Sequence, residues 1–303
     1  MSNHQWRPMV SELKDTKSPL RRYIVENFPN SLALRKEFRA RSGPLLVAGN
    51  GTSPMTLGTA FDVMARLLID PEHYPVNFLR SNIWREQHEE AGEQLVRIAS
   101  DSLTGGPAAA ESFYRASWAL ALLTEIYRSP FAWTDGPVNP ILLAEGATLK
   151  SSVSALLALT PDSAVEQLNE LREVAEASLI PQLKTPVNLE PDLLGSILIP
   201  AAADIIAGGV LVDMKVQLGL PNSKTGVRSD EMTILTVHQL IGYTLLDLNN
   251  DHKLEHLGIY SARYGALTTW PIQEAFNVLA GRPVDIALMR KQLPALLRSG
   301  FAR

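Results

Sequence analysis

The stretch Ala203-Asp-Ile-Ile-Ala-Gly-Gly-Val-Leu-Val-Asp-Met-Lys215 restricts the fold more than any other part of the chain. Two aliphatic, β-branched runs flank Gly208-Gly209. A Gly-Gly pair between such runs predicts a tight hairpin, because both glycines accept positive φ. With those two residues as the loop, Ala207 faces Val210, Ile205 faces Val212, and Asp204 stands across from Asp213. Cross-strand partners share a face, so the two carboxylates project together with Cβ atoms about 5 Å apart. Lys215 follows Asp213 by two residues and returns to that face. Three charges among Ile205, Ile206, Val210, Leu211, Val212 and Val216 are costly, since like carboxylates repel and burying either alone is unfavourable. A divalent cation between the acids, with the lysine close by, resolves that cost. A plainer arrangement also satisfies the sequence: Asp204 opens a turn, and Asp213 and Lys215 form a solvated pair on an edge strand.

A length of 303 residues allows one large or two ordinary domains. Apolar residues make up 46% and charged residues 20%, a globular rather than a disordered balance. The absence of cysteine excludes disulfides and thiolate metal sites, so any metal is hard or imidazole-bound, and it agrees with a cytoplasmic location. Met1-Ser-Asn-His-Gln-Trp-Arg-Pro8 reads as no signal peptide, and no apolar run reaches about 18 residues, so no membrane association is expected. A net charge of −4 argues against non-specific coating of nucleic acid while leaving room for local basic patches.

Along the chain, residues 1–45 read as amphipathic helices, one opening at Leu20 and another over Ser31–Arg41. The second carries the densest basic cluster, Arg35, Lys36, Arg39 and Arg41, which suits either a solvated helix face or a phosphate contact. Residues 42–54 read as a loop. Met55–Ile69 has helical periodicity, with Thr56 or Thr59 as its cap and Asp70-Pro71 as its stop. Asp62 sits in that helix four residues before Arg66, the spacing of an ordinary ion pair. From Phe78 to about Ser178 the chain is helical, with segments at Ile83–Ser100, Ala108–Arg128, Pro140–Leu159 and Ser163–Leu179. Gly105-Gly106-Pro107, Ser129-Pro130 and Gly136-Pro137 separate them, and glutamates such as Glu86, Glu93, Glu166 and Glu173 line solvated faces.

The texture changes at Pro181. Val187–Ile199 reads as β-rich, the hairpin follows, and Pro221–Ser229 reads as a polar loop. Ser229 then caps a helix over Asp230–Leu248 that carries Gln239 and Tyr243 one turn apart. Leu257–Tyr264 reads as a strand, Ala266–Trp270 as its extension or partner, and Pro271–Ala280 and Val284–Arg298 as closing helices. Strand, strand, strand, helix, strand is a mixed α/β order of the α+β class, with a crossover helix before the last strand.

Asp204, Asp213-x-Lys215 and Gln239-x-x-x-Tyr243 on the following helix resemble the PD-(D/E)XK nuclease superfamily in its RecB-like branch. Gly58-Thr-Ala-Phe-Asp62 has the shape of that branch's upstream helical motif, with Asp62 where a histidine often stands. Ala203 departs from the proline of the family name. The resemblance covers residues 187–270 and 55–69. It implies a PD-(D/E)XK nuclease-like core sheet flanked by helices and interrupted by a large helical block. On that basis the chain divides into an N-terminal helical segment (1–54), a first core helix (55–77), a helical insertion (78–180) and an α/β core with closing helices (181–303).

The resemblance also implies metal-assisted phosphodiester hydrolysis. Asp204, Asp213, the Met214 carbonyl and Asp62 would hold Mg²⁺ or Mn²⁺. Lys215 would activate or position the attacking water. Gln239, Tyr243 and Arg263 would touch or orient the substrate, DNA being favoured over RNA. Gln239 with Tyr243 also suits a polar pair in a helical core, and Arg263 an ordinary ion pair. There is no Gly-x-x-x-x-Gly-Lys-Ser/Thr, Gly-x-Ser-x-Gly or His-Glu-x-x-His, so other common site chemistries lack their motifs. The competing class is a catalytically silent, nuclease-like module that binds nucleic acid or a protein, with the helical block as a surface for a partner or a second copy.

Overall fold

The computed structural model describes residues 6–74, 86–128 and 134–299, so the expected Ser129-Pro130 linker lies outside the described residues. The fold is mixed α+β, with a five-stranded mixed sheet and a small two-stranded sheet flanked by helices. Two units emerge: Met1–Leu45, Gln182–Met214 and Gly219–Arg303 form the first, and Leu46–Pro181 with Lys215–Leu218 the second.

The first unit is built on strands β1 (Val187–Leu189), β2 (Ile205–Ala207), β3 (Val210–Lys215), β6 (His256–Ser261) and β7 (Ala266–Pro271), in the order β1-β2-β3-β6-β7. Neighbours β1/β2, β2/β3 and β6/β7 are antiparallel. The amides of Glu255 and His256 both donate to the Gly209 carbonyl, at 2.8 and 3.2 Å, so β3 and β6 start at the same end and run parallel. A parallel pair needs a crossover, and the helix Ile234–Leu246 supplies it. Thr236 to Leu246 are all buried, because this helix packs against the helices Met9–Lys14, Pro19–Asn27 and Ile286–Ser299 and shares one core with Ile206, Leu211, Leu257, Ile259 and Trp270.

The N-terminal helices belong to this core. Trp6 donates through Nε1 to the Leu297 carbonyl (3.0 Å), the Met9 amide to Pro200 (2.8 Å) and the Asn30 amide to Leu279 (2.9 Å). Phe28 meets Phe276 edge to face, with centroids 5.0 Å apart.

Within the second unit, the helix Pro107–Arg128 is central. It packs against Pro54–Ile69, Glu86–Asp101, Leu149–Ala158 and Asp162–Ser178. Phe113, Ala116, Trp118, Ala119, Leu120 and Leu123 along it are buried, the pattern of a helix enclosed on several sides. The glutamates predicted to line solvated faces are exposed.

Several boundaries differ from expectation. Val187–Ile199 contributes only a three-residue strand before a 3-10 turn over Leu194–Ile197. The expected helix Pro140–Leu159 is two helices, Val138–Leu142 and Leu149–Ala158, because Gly146 turns left-handed between them and Thr148 caps the second. Thr56 caps nothing. The N-cap position is Ser53, and the Thr56 hydroxyl donates to Glu125 at 2.7 Å. Residues 220–229 form a small antiparallel hairpin, β4 (Leu220–Pro221) and β5 (Arg228–Ser229), rather than an unstructured loop. Ser229 is therefore committed to a strand, and Thr233 caps the crossover helix by accepting from the Thr236 amide at 3.1 Å.

Among the described residues, no helix is long and apolar enough to cross a membrane.

Candidate active site

The β2–β3 turn is Gly208-Gly209, with φ of 54° and 79°, and the register is Ile205↔Val212, Ile206↔Leu211 and Ala207↔Val210. These are the pairings that a two-residue loop dictates. Asp204 and Asp213 are the next residues outward at the open end of the hairpin. The ladder ends there in a particular way: the Asp204 carbonyl accepts from the Glu190 amide at 3.1 Å, and one Asp204 carboxylate oxygen accepts from the Met214 amide at 2.7 Å. The side chain thus satisfies a main-chain donor of β3 beyond the last paired residue of β2. Asp213 is 3% exposed and Met214 is buried, whereas Asp204 and Lys215 are half-buried. Lys215 is the last residue of β3, two beyond Asp213, and strand alternation returns it to the Asp213 face.

Gln239 and Tyr243 lie on the crossover helix, one turn apart, and both are buried, with Tyr243 part of the hydrophobic core. Arg263, expected within a strand, lies in the turn between β6 and β7, where the Tyr264 amide donates to the Ser261 carbonyl at 3.0 Å. It too is buried. Asp62 sits in the helix Pro54–Ile69 of the second unit and forms the i,i+4 ion pair with Arg66 at 2.7 Å. The basic cluster divides between the alternatives that the sequence left open. Arg35 pairs with Glu231 at 3.2 Å and donates to the Met232 carbonyl, and Arg39 approaches the same glutamate at 3.9 Å. Arg41 pairs with Glu37 and covers the Trp270 ring, while Lys36 is exposed.

Two features escaped the sequence reading. Glu190 continues β1 level with Asp204, at a left-handed φ of 48°, so acidic residues fall at one level on three neighbouring strands. The second is a polar cluster under the β4–β5 hairpin. Asp230 is buried, accepts a short hydrogen bond from the Ser261 hydroxyl, and takes the Glu231 amide at 2.8 Å. Burial, reinforced by the Asp230 charge and opposed by Arg228 and Arg263, pushes the Tyr264 hydroxyl up to about 12. The signal was present in Ser229-Asp230, but the pair imitates a helix cap.

His238, beside Gln239, is buried, and burial together with the Arg21 charge pushes its imidazole below the usual value of 6.5. The folded state holds the neutral ring, and the unfolded chain takes the proton first as pH falls. Its stabilising contribution is therefore complete above about pH 6.5 and is lost as pH drops through the depressed folded value. His238→Gln is expected to flatten the loss of stability as pH falls below about 6.5 in urea unfolding. An unchanged slope would show that His238 titrates alike in both states.

Among the described residues, no three or more His, Asp or Glu side chains come together as a ready metal cage. No family model, curated protein or solved structure matches this chain.

Proposed function

We propose that this protein is a metal-dependent nuclease that hydrolyses phosphodiester bonds, most readily in DNA. The observation that supports this most is the hairpin register: it sets Asp204 and Asp213 at one level on paired strands, with Lys215 two residues on. The parallel strand β6 is then reached through a helix carrying Gln239 and Tyr243.

Asp204, Asp213 and the Met214 carbonyl offer only oxygen donors, which suits Mg²⁺ or Mn²⁺. Mg²⁺ is commonly held by one or two carboxylates while keeping several waters, so a fuller cage is not required. The Met214 amide fixes the Asp204 carboxylate at 2.7 Å, an orienting bond of the kind that keeps a ligand oxygen in place. When bound, such an ion supplies Lewis acidity toward the phosphoryl oxygen and a more acidic water. Lys215 would orient an attacking water and offset negative charge growing on the phosphate. Gln239 and Tyr243 act from within the core, holding the crossover helix rather than gripping the polymer, and burial gives Arg263 a similar positioning role in its turn.

The second reading, a silent binding module, draws on one observation: an Asp204 oxygen is already engaged by a main-chain amide. The test incubates the protein with labelled single- and double-stranded DNA and RNA in Mg²⁺, Mn²⁺ or EDTA. Cleavage in either metal and none in EDTA is expected. Equal cleavage in EDTA overturns the metal dependence, and tight binding without cleavage in any condition favours the silent module.

A further inference from the structure

We infer that the β4–β5 hairpin, Leu220–Ser229, is a preformed arm that enters the groove of duplex DNA; its role at the acidic pair rests on the nuclease reading above. Every residue from Leu220 to Val227 is exposed. A two-stranded hairpin without a packed face is marginal by itself, yet this one is braced at both ends. At its base, Leu220 pairs with Ser229 and Pro221 with Arg228, and Arg228 donates to the Gly219 carbonyl at 2.8 Å. Gly219 adopts φ +66° there, and a side-chain carbon would overlap the Ser229 carbonyl. At its tip, the Asn222 amide donates to Val227 at 2.8 Å, the Gly226 amide to Asn222 at 2.8 Å, and the Asn222 carboxamide accepts from the Lys224 and Thr225 amides. An ordered but unpacked arm carries little ordering cost into a complex.

Its chemistry points to a polyanion. The whole chain carries 32 acidic residues in 303, yet residues 214–229 include none and supply Lys215, Lys224 and Arg228. The nearest following acid, Asp230, is buried on Ser261, and Glu231 is paired with Arg35. Arg228 is turned back onto Gly219, so Lys224 is the cation carried at the tip, flanked by Asn222, Ser223 and Thr225. Leu220 and Val227, 56% and 67% exposed, provide apolar contact for sugars or thymine methyls. A two-stranded ribbon fits the B-form major groove, about 12 Å wide, and not the narrow A-form one. Leu220 lies seven residues beyond Asp213, so the arm begins within about 25 Å of the acidic pair.

The test uses the full chain. Wild type, Lys224→Glu and Lys224→Arg are titrated in EDTA against a fluorescent DNA duplex and an RNA duplex of the same sequence, across a salt series. Lys224→Glu is expected to weaken DNA binding by about tenfold or more and to reduce the salt slope by about one, with Lys224→Arg near wild type and RNA bound more weakly throughout. Equal DNA affinity for wild type and Lys224→Glu overturns the arm, as does equal affinity for RNA. Thermal melting of Lys224→Glu should match wild type, because the residue is exposed and the bond it makes in the turn comes from its backbone amide, which the substitution keeps. A parallel cleavage assay in Mg²⁺ separates the two readings. If wild type cuts and Lys224→Glu cuts with unchanged KM, the arm falls and the nuclease stands. If wild type never cuts yet Lys224→Glu loses duplex affinity, the arm stands without the nuclease.

Discussion

Lys215→Ala is expected to lower the rate of phosphodiester hydrolysis by about 10²–10³-fold, the scale of losing one positioned electrostatic or acid–base group. Lys215 is not among the groups proposed to hold the cation, so divalent-cation binding should survive. Asp213→Ala should act differently, removing cation binding and cleavage together, since it deletes one of the two carboxylates assigned to the ion. The discriminating experiment pairs metal titration by calorimetry with cleavage of labelled DNA for wild type and both variants. A Lys215→Ala protein that cuts at the wild-type rate would falsify the assigned role. If the wild type takes up no divalent cation at millimolar concentration, the acidic pair is no metal site.

The hairpin was legible because its grammar is local. Gly208-Gly209 sets a two-residue loop, the loop sets the register, and register sets which side chains share a level. The crossover helix was legible as well, whereas the sequence left Ala266–Trp270 as either an extension of the preceding strand or its partner, and the structure makes it the antiparallel partner. Other features depended on contacts distant in sequence. Ser229 resembles a cap in every local respect, yet pairing with Leu220 takes it into a strand, and Asp230 turns inward to Ser261, 31 residues away. Arg35 and Arg39 read as a basic face until Glu231, almost 200 residues on, is found against them.

The acidic pair shows the limit most clearly. Sequence spacing places Asp204 opposite Asp213, but not the choice of the Asp204 carboxylate to accept the Met214 amide. That bond follows from where β2 stops pairing, which depends on Glu190 and β1 on the other side. The same consideration explains how Glu190 was overlooked: its level is set by a strand of only three residues, too short to announce itself by alternation.

Phe276→Ala is expected to destabilise the first unit by about 3–5 kcal/mol, the usual cost of emptying a fully buried phenylalanine site. Its ring is wholly buried and meets Phe28 edge to face at 5.0 Å and 77°. The contact joins the N-terminal helices to the helix Ile272–Ala280, and the Asn30 amide bonds to Leu279 beside it. A domain of ordinary stability holds about 5–15 kcal/mol in all, so the loss is a large fraction of it. Phe28→Ala should cost a similar amount. Because the two rings share one contact, worth about 0.5–1.5 kcal/mol beyond burial, the double variant should lose less than the sum of the singles. Urea unfolding of the four proteins, followed by far-UV circular dichroism, reads both quantities. Hydrogen exchange at Ile24 and Phe28 should speed up in Phe276→Ala, since the N-terminal helices lose their anchor to the C-terminal part of the core. A shift of less than about 1 kcal/mol, with unchanged exchange in those helices, would mean that the Phe28–Phe276 contact is not what anchors the N-terminal helices to this core.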